Sequence, residues 1–181
     1  MTAWTFAGAL AALGGAQKPA ARGAPAYSRF VNRRLGRVLA AGSAVVGLTP
    51  NAVTGISALF TLSGIAVLAL APMSLTTGVV VCLLLVVGYA FDSADGQLAR
   101  LRGGGSPSGE WLDHVVDSVK VSALPLAVFI ALVRAGEDDT RVLAIPLVAT
   151  VVSAVSFFTM ILTEQLRRAR GTVPLAPAGG G

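Results

Sequence analysis

The sequence predicts an all-α bundle of membrane-spanning helices, and three observations carry that prediction. Four apolar stretches, 52–71, 75–94, 111–133 and 142–162, each come near the roughly 20 residues needed to cross a bilayer. Hydrophobic residues make up 54% of the chain and charged residues 13%, about half the charged share of an ordinary soluble domain. The connections between the stretches also alternate in charge, as the loops of a polytopic protein do. At 181 residues there is room for one domain. Cys82 is the single cysteine, so no disulfide can form within the chain, and its apolar setting predicts a small packing residue.

Residues 1–16 are apolar but short and lack a basic region ahead of them, which makes them a poor signal peptide. The Ala/Gly/Pro-rich stretch 14–26 reads as flexible, so 1–26 is expected to be a lead-in to a membrane domain at 27–165. A basic, then Pro/Gly-rich tail follows at 166–181. Within 27–46, Tyr27, Phe30, Val31, Leu35, Val38 and Leu39 recur mostly at helical spacing, while Arg29, Arg33 and Arg37 fall four apart on another face. That pattern predicts an amphipathic helix lying in the interface, apolar side in the acyl boundary and arginines among headgroups. A soluble amphipathic helix packed on a core is the alternative. Thr49-Pro50 then opens the first span as an N-cap followed by a proline whose missing N–H is not needed there.

Lys18, Arg22, Arg29, Arg33, Arg34 and Arg37 precede the first span, Arg100 and Arg102 follow the second, and Arg167, Arg168 and Arg170 follow the fourth. The 72–76 connection is uncharged, and 134–141 sets two arginines against three acids. This predicts a cytoplasmic N-terminus, 95–109 loop and C-terminal tail. The net charge of +5 is thereby explained by topology and attraction to anionic lipid, and nucleic acid is not an expected partner.

Five of the nine acidic residues lie between Asp92 and Asp117. On a helix continuing from the second span, Asp92, Asp95, Gly96 and Ala99 share one face. Gly103-Gly104-Gly105-Ser106-Pro107 breaks that helix. The third helix, starting near Gly109, aligns Gly109, Asp113 and Asp117. The two helices are expected to be antiparallel neighbours whose acidic faces meet near the cytoplasmic interface as a cluster of four carboxylates.

Ionised carboxylates in or beside a membrane usually face an interior site, a partner charge or a metal. Four together repel one another unless a cation fills the centre. Oxygen ligands suit Mg²⁺, Mn²⁺ or Ca²⁺, and the lack of clustered Cys or His argues against zinc. Gly96 and Ala99 leave the acidic face without bulk, and Arg100 and Arg102 bring positive charge suited to phosphate. Metal-dependent chemistry on a phosphate ester or anhydride at the membrane surface follows. The plainer reading is that the Asp pairs are solvated helix caps and that Arg100 is a topological anchor.

The window D92-x2-D95-G96-x2-A99-R100-x8-G109-x3-D113-x3-D117 resembles, at all eight fixed positions, the signature of the CDP-alcohol phosphotransferase (phosphatidyltransferase) family. The opening Thr49-Pro50-Asn51, with Thr54 three residues on, is also similar to the first span of that family, and the likeness covers about residues 27–165. It implies displacement of CMP from a CDP-alcohol by an acceptor hydroxyl, one of the two substrates usually being a lipid. Asp92, Asp95, Asp113 and Asp117 would hold two Mg²⁺ or Mn²⁺ ions, with Asp117 as general base. Gly96, Ala99, Arg100, Ser106 and Gly109, together with Asn51 and Thr54, match positions lining the CDP moiety. Members commonly form homodimers.

Gly109-Glu110 and Asp113-His114, then Asp117-Ser118, look more like the choline/ethanolamine phosphotransferase branch. Many relatives that use glycerol phosphate or inositol phosphate carry Lys or Arg directly after the last Asp, where Ser118 stands here, with Lys120 two further on. His114, the single histidine, adjoins a proposed ligand but points about 100° away from Asp113 on a helix. It is a candidate proton relay or a packing residue. The family generally has six spans, and four are legible here, so a truncated or inactive membrane fragment is one alternative. An Asp-rich intramembrane prenyltransferase is another, although such enzymes place their Asp motifs far apart in sequence. A cation transporter is a third, although it would carry its acids nearer mid-membrane.

Overall fold

The computed structural model describes residues 4–15 and 25–171. Six α-helices run in order: α1 Phe6–Gly15, α2 Arg33–Val45, α3 Pro50–Leu70, α4 Leu75–Leu101, α5 Pro107–Arg134 and α6 Thr140–Ala169. A π-helical turn, Ser28–Asn32, leads into α2. Among the described residues there is no strand. Helices α3 to α6, of 21, 27, 28 and 30 residues, are each long and apolar enough to cross a membrane.

Their starts follow local chemistry. The Thr49 side chain accepts from the N–H of Ala52, Ser74 from Thr77, Ser106 from Gly109 and Asp139 from Arg141. Each hydroxyl or carboxylate satisfies a donor that the first helical turn leaves without a partner. Between α4 and α5 the chain turns on Gly103 and Gly104, whose φ angles of 94° and 127° lie where a side chain would clash.

In space the helices pack in the order α1, α2, α4, α3, α5, α6, each mainly against its neighbours in that series. Helices α4 and α5 have little close backbone contact, but their side chains meet as expected, Lys120 of α5 bonding Asp92 of α4. Helix α3 lies against both, and the gap it leaves between them is where the acidic faces look toward one another. Arg134 at the end of α5 donates to the carbonyl of Leu70 at the end of α3 (3.0 Å), which fastens the opposite end of the bundle.

The packing is the inverse of a soluble core. Buried positions are mostly small, among them Ala40, Ala41, Ala44, Ala90, Ala94, Ala127 and Ala131, while Leu59, Val79, Leu83, Val148, Val151 and Phe158 face outward. Lipid tails are as apolar as leucine, so association rests on close backbone approach rather than on hiding large side chains. At Gly88 a Cβ would stand 3.0 Å from the Thr61 backbone nitrogen and 3.2 Å from the Ser57 carbonyl, so α3 and α4 meet backbone to backbone there.

Helix α2 has a buried face and an exposed apolar face. Gly36, Ala40, Ala41 and Ala44 are buried, the three alanines in a cluster with Ala94 and Leu98 of α4, while Leu35 and Val38, like Phe30 and Val31 of the preceding turn, are exposed. The packed-helix reading thus holds for one face of α2, and these exposed residues are apolar. Two sequence expectations need correction. Part of the expected lead-in is the helix α1, whose Ala9 and Leu13 are buried in the cluster with α2 and α4; residues 16–24 and 172–181 lie outside the described residues. Cys82 is exposed on α4 rather than packed inside.

Replacing Gly88 by valine would wedge α3 from α4. Overpacking of this kind costs about 1–3 kcal/mol, and thermal unfolding in detergent should show the loss, with Gly78→Val, where space is open, close to wild type.

Candidate active site

The four helix ends at one side of the bundle enclose a cavity of about 650 Å³. Asn51 and Thr54 come from α3, and Asp95, Gly96, Ala99 and Arg100 come from α4. The glycine turn contributes Gly104 and Gly105, α5 supplies Gly109, Glu110, Asp113 and His114, and Arg168 reaches in from α6. Ser106, the cap of α5, completes the wall. Every residue expected to line a nucleotide thus opens on one space, together with Arg102.

Local packing explains several of these positions. Thr54 is buried on α3 and donates to Asp95 Oδ2 at 2.7 Å, giving a carboxylate that is 6% exposed a partner from the neighbouring helix. Gly109 sits where a Cβ would stand 2.8 Å from Asn51 Oδ1, so its bareness lets α5 approach the start of α3. A Cβ at Gly96 would meet only Arg100 Nη1 at 3.6 Å. Gly96 therefore serves the open space of the cavity rather than helix packing.

Behind the cavity the acids divide. Asp92, Asp113 and Asp117 each bring one carboxylate oxygen within 4.8 Å of the others, whereas Asp95 stands outside this trio, bonded to Thr54. Asp113 belongs to both the trio and the cavity wall. Three hard oxygens at this separation fit a divalent ion such as Mg²⁺ or Mn²⁺.

Lys120 has no role in the motif, yet it enters this cluster. Its ammonium donates to Asp92 Oδ1 at 2.5 Å, Asp117 Oδ1 at 3.0 Å and Ser57 Oγ at 3.1 Å. Ser57 is itself fully buried and donates to the carbonyl of Gly88 at 2.9 Å. The signal for both residues was present in the spacing. Lys120 follows Asp117 by one helical turn, and Ser57 follows Thr54 by one turn on the α3 face that meets α4.

His114 lies at the rim, its Nε2 3.6 Å from Glu110 Oε1. Glu110 is also paired with Arg168 at 2.5 Å, which ties α6 to α5 beside the cavity. On the outer side of His114 and Glu110 lies a second, apolar hollow of about 560 Å³, whose lining includes Trp111, Phe157 and Phe158.

A family model for CDP-alcohol phosphatidyltransferases matches residues 47–180, which spans both acidic helices and the whole cavity. The chain belongs to the CDP-alcohol phosphatidyltransferase family. Membership agrees with the resemblance carried by the Asp92–Asp117 window and sets aside the prenyltransferase and transporter readings. The chain is also similar to a phosphatidylinositol phosphate synthase of Mycobacterium marinum, 39% identical over 102 residues. That match takes in 56% of this chain and 42% of the relative, so the chain spans about two fifths of the length of the curated relative it matches. With the four long apolar helices, family membership makes this an integral membrane protein.

Thr54→Val is nearly isosteric and leaves Asp95 buried without its inter-helix partner. The loss should be about 1–3 kcal/mol, read as a lowered unfolding midpoint, and Thr54→Ser should recover most of it.

Proposed function

We propose that this protein transfers a substituted phosphate from a CDP-alcohol to an acceptor hydroxyl, releasing CMP, in the synthesis of phospholipids or related phosphodiesters. The observation that carries the reading is the convergence on one cavity. Asp95, Gly96, Arg100, Ser106, Gly109 and Asp113, contributed by two helices and the turn between them, face the same space, with Asp92 and Asp117 directly behind Asp113. We place this cavity at the cytoplasmic face, because Arg100, Arg102 and Arg168 gather at that end of the bundle.

In this reading the acceptor oxygen forms a bond to the phosphorus that stays with the alcohol, and the bond from that phosphorus to the CMP oxygen breaks. Arg100 and Arg102 face the diphosphate and offset its charge. Gly96 and Ala99 let the nucleotide lie against the α4 backbone, and Asn51, Thr54, Ser106 and Gly109 shape the opposite wall. Asp117 takes the proton of the acceptor hydroxyl, as a carboxylate within hydrogen-bond reach is able to do. His114 we assign to the rim, beside Glu110, rather than to proton removal. Asp92, Asp113 and Asp117, with Asp95 at the cavity wall, are the residues that would hold Mg²⁺ or Mn²⁺. When bound, such ions neutralise charge on the phosphoryl oxygens and the leaving group. A homodimer is the assembly we expect, to be read from the mass of the purified protein in detergent.

The donor and acceptor are best decided by assay. The Mycobacterium marinum relative is named for phosphatidylinositol phosphate, which puts CDP-diacylglycerol with inositol phosphate first among the pairs. CDP-choline or CDP-ethanolamine with diacylglycerol comes second, on the Gly109-Glu110 and Asp113-His114 steps. Membranes containing the chain should release CMP only with an acceptor and a divalent ion. Asp117→Asn should lower the rate by about 10²–10⁴-fold, and chelation should abolish it. A folded protein that releases no CMP with any pair would refute the activity for this chain.

A further inference from the structure

Leu13 of α1 and Leu98 of α4 are the two largest side chains wholly buried among the described residues. They belong to one cluster, which α1 joins through Ala9 and Leu13, and α4 through Ala94 and Leu98. Elsewhere in the bundle buried positions are mostly small, and most large apolar side chains face outward. Lipid is as apolar as leucine, so burying a leucine stabilises chiefly where the alternative is water. Helix α1, with 10 residues, is also too short to cross a bilayer. Its contact with α4 is therefore built as a water-facing one, at the end of α4 that bears the cavity.

At about 100° per residue, Ala94, Leu98 and Leu101 fall on one face of α4, and Asp95, Gly96, Ala99 and Arg100 on the opposite one. The first face packs in the cluster, and the second lines the cavity. Helix α1 touches both α2 and α4. A Cβ at Gly14 would lie 3.7 Å from Arg37 Nη1, so a guanidinium of α2 stands beside the last turn of α1, where the helix dipole favours a cation.

We propose that α1 is a clamp on the cavity end of α4. By holding the Ala94–Leu98 face it sets where Asp95, Gly96, Ala99 and Arg100 stand, so that docking of α1 and binding of the CDP donor are coupled. The inference rests on the reading of the cavity as a CDP-alcohol site. It adds to that site a positioning element that precedes residues 47–180, the part matched by the family model. Leu13 acts through α4 and is a positioning residue. Such coupling is reciprocal, so a donor that binds better when α1 is docked must also favour docking.

Trp4 packs against the cluster, while Trp111, the other tryptophan, is 65% exposed. Trp111→Phe therefore leaves Trp4 as the reporter of α1. In that background the purified full chain in detergent is titrated calorimetrically with CDP-diacylglycerol and with CDP-choline, each with Mg²⁺. Trp4 emission is read alongside, and circular dichroism checks that the helices are retained. Leu13→Asp places a charge in an apolar cluster and should release α1, seen as a red shift of Trp4. Donor affinity should then fall by about tenfold, whereas Leu13→Met should keep both signals. In Leu13→Ala, where docking is weakened, saturating donor should move Trp4 emission back toward the blue, a response that a merely structural α1 would not give. Ala9→Leu, which overfills the contact without a charge, serves if Leu13→Asp does not fold. Unchanged donor affinity with Trp4 exposed to water would overturn the role of α1 and leave the donor reading intact. An unshifted Trp4 in both disruptive variants would also overturn it, because the cluster would then not be what holds α1. Absence of donor binding in the folded parent would overturn both readings.

Discussion

A carboxylate at the edge of a hydrocarbon phase must have a partner, and the arrangement of this bundle follows from that requirement. Asp95 is bonded to Thr54 of α3, and Asp92 and Asp117 share the ammonium of Lys120. Asp113 opens on a cavity that also holds Arg100, Arg102 and Arg168. Burying a charge without such a partner is among the most expensive things a membrane protein can do. The acidic window therefore constrains its neighbours. Helix α3 must lie between α4 and α5, must present a hydroxyl at Thr54 and another at Ser57, and must come close enough for both to reach.

Close approach in turn dictates the use of small residues. Gly88 lets the backbones of α3 and α4 meet, and Gly109 lets α5 approach Asn51. Alanines are the commonest buried hydrophobic residues among the described ones, while most of the large aliphatic side chains face outward. This division costs nothing in lipid, where a leucine gains little from being hidden. It also keeps the cavity open. Gly96, Ala99, Gly104 and Gly105 line it, and none has a side chain larger than a methyl group. The same economy of side-chain volume that packs the helices thus leaves space for a ligand beside the acids.

The site is tied to the rest of the fold at both edges. The inner edge is the α2–α4 contact, where Gln97 donates to the carbonyl of Arg33 and Asn32 donates to that of Tyr89, each at 3.2 Å. The outer edge is the Glu110–Arg168 pair, which joins α6 to the rim. Between them the acidic ends of α4 and α5 are held from two sides.

By itself the sequence determined the class, the spans and the chemistry of the window. Length and hydropathy mark a membrane helix because the bilayer has a fixed thickness. Spacing along a helix decides which of Asp92, Asp95, Gly96 and Ala99 share a face. The Thr49 cap was local enough to be legible as well. What only the tertiary structure decided was which helix stands beside which. Helix α3 packs against both α4 and α5, α1 joins the core rather than leading into it, and Cys82 faces outward. Lys120 shows the reason most clearly. In sequence it is a basic residue one turn beyond an aspartate, and its partners on α3 and α4 lie 63 and 28 positions away. Helical periodicity fixes where a side chain points on its own helix. Only the packing of three helices fixes what it meets.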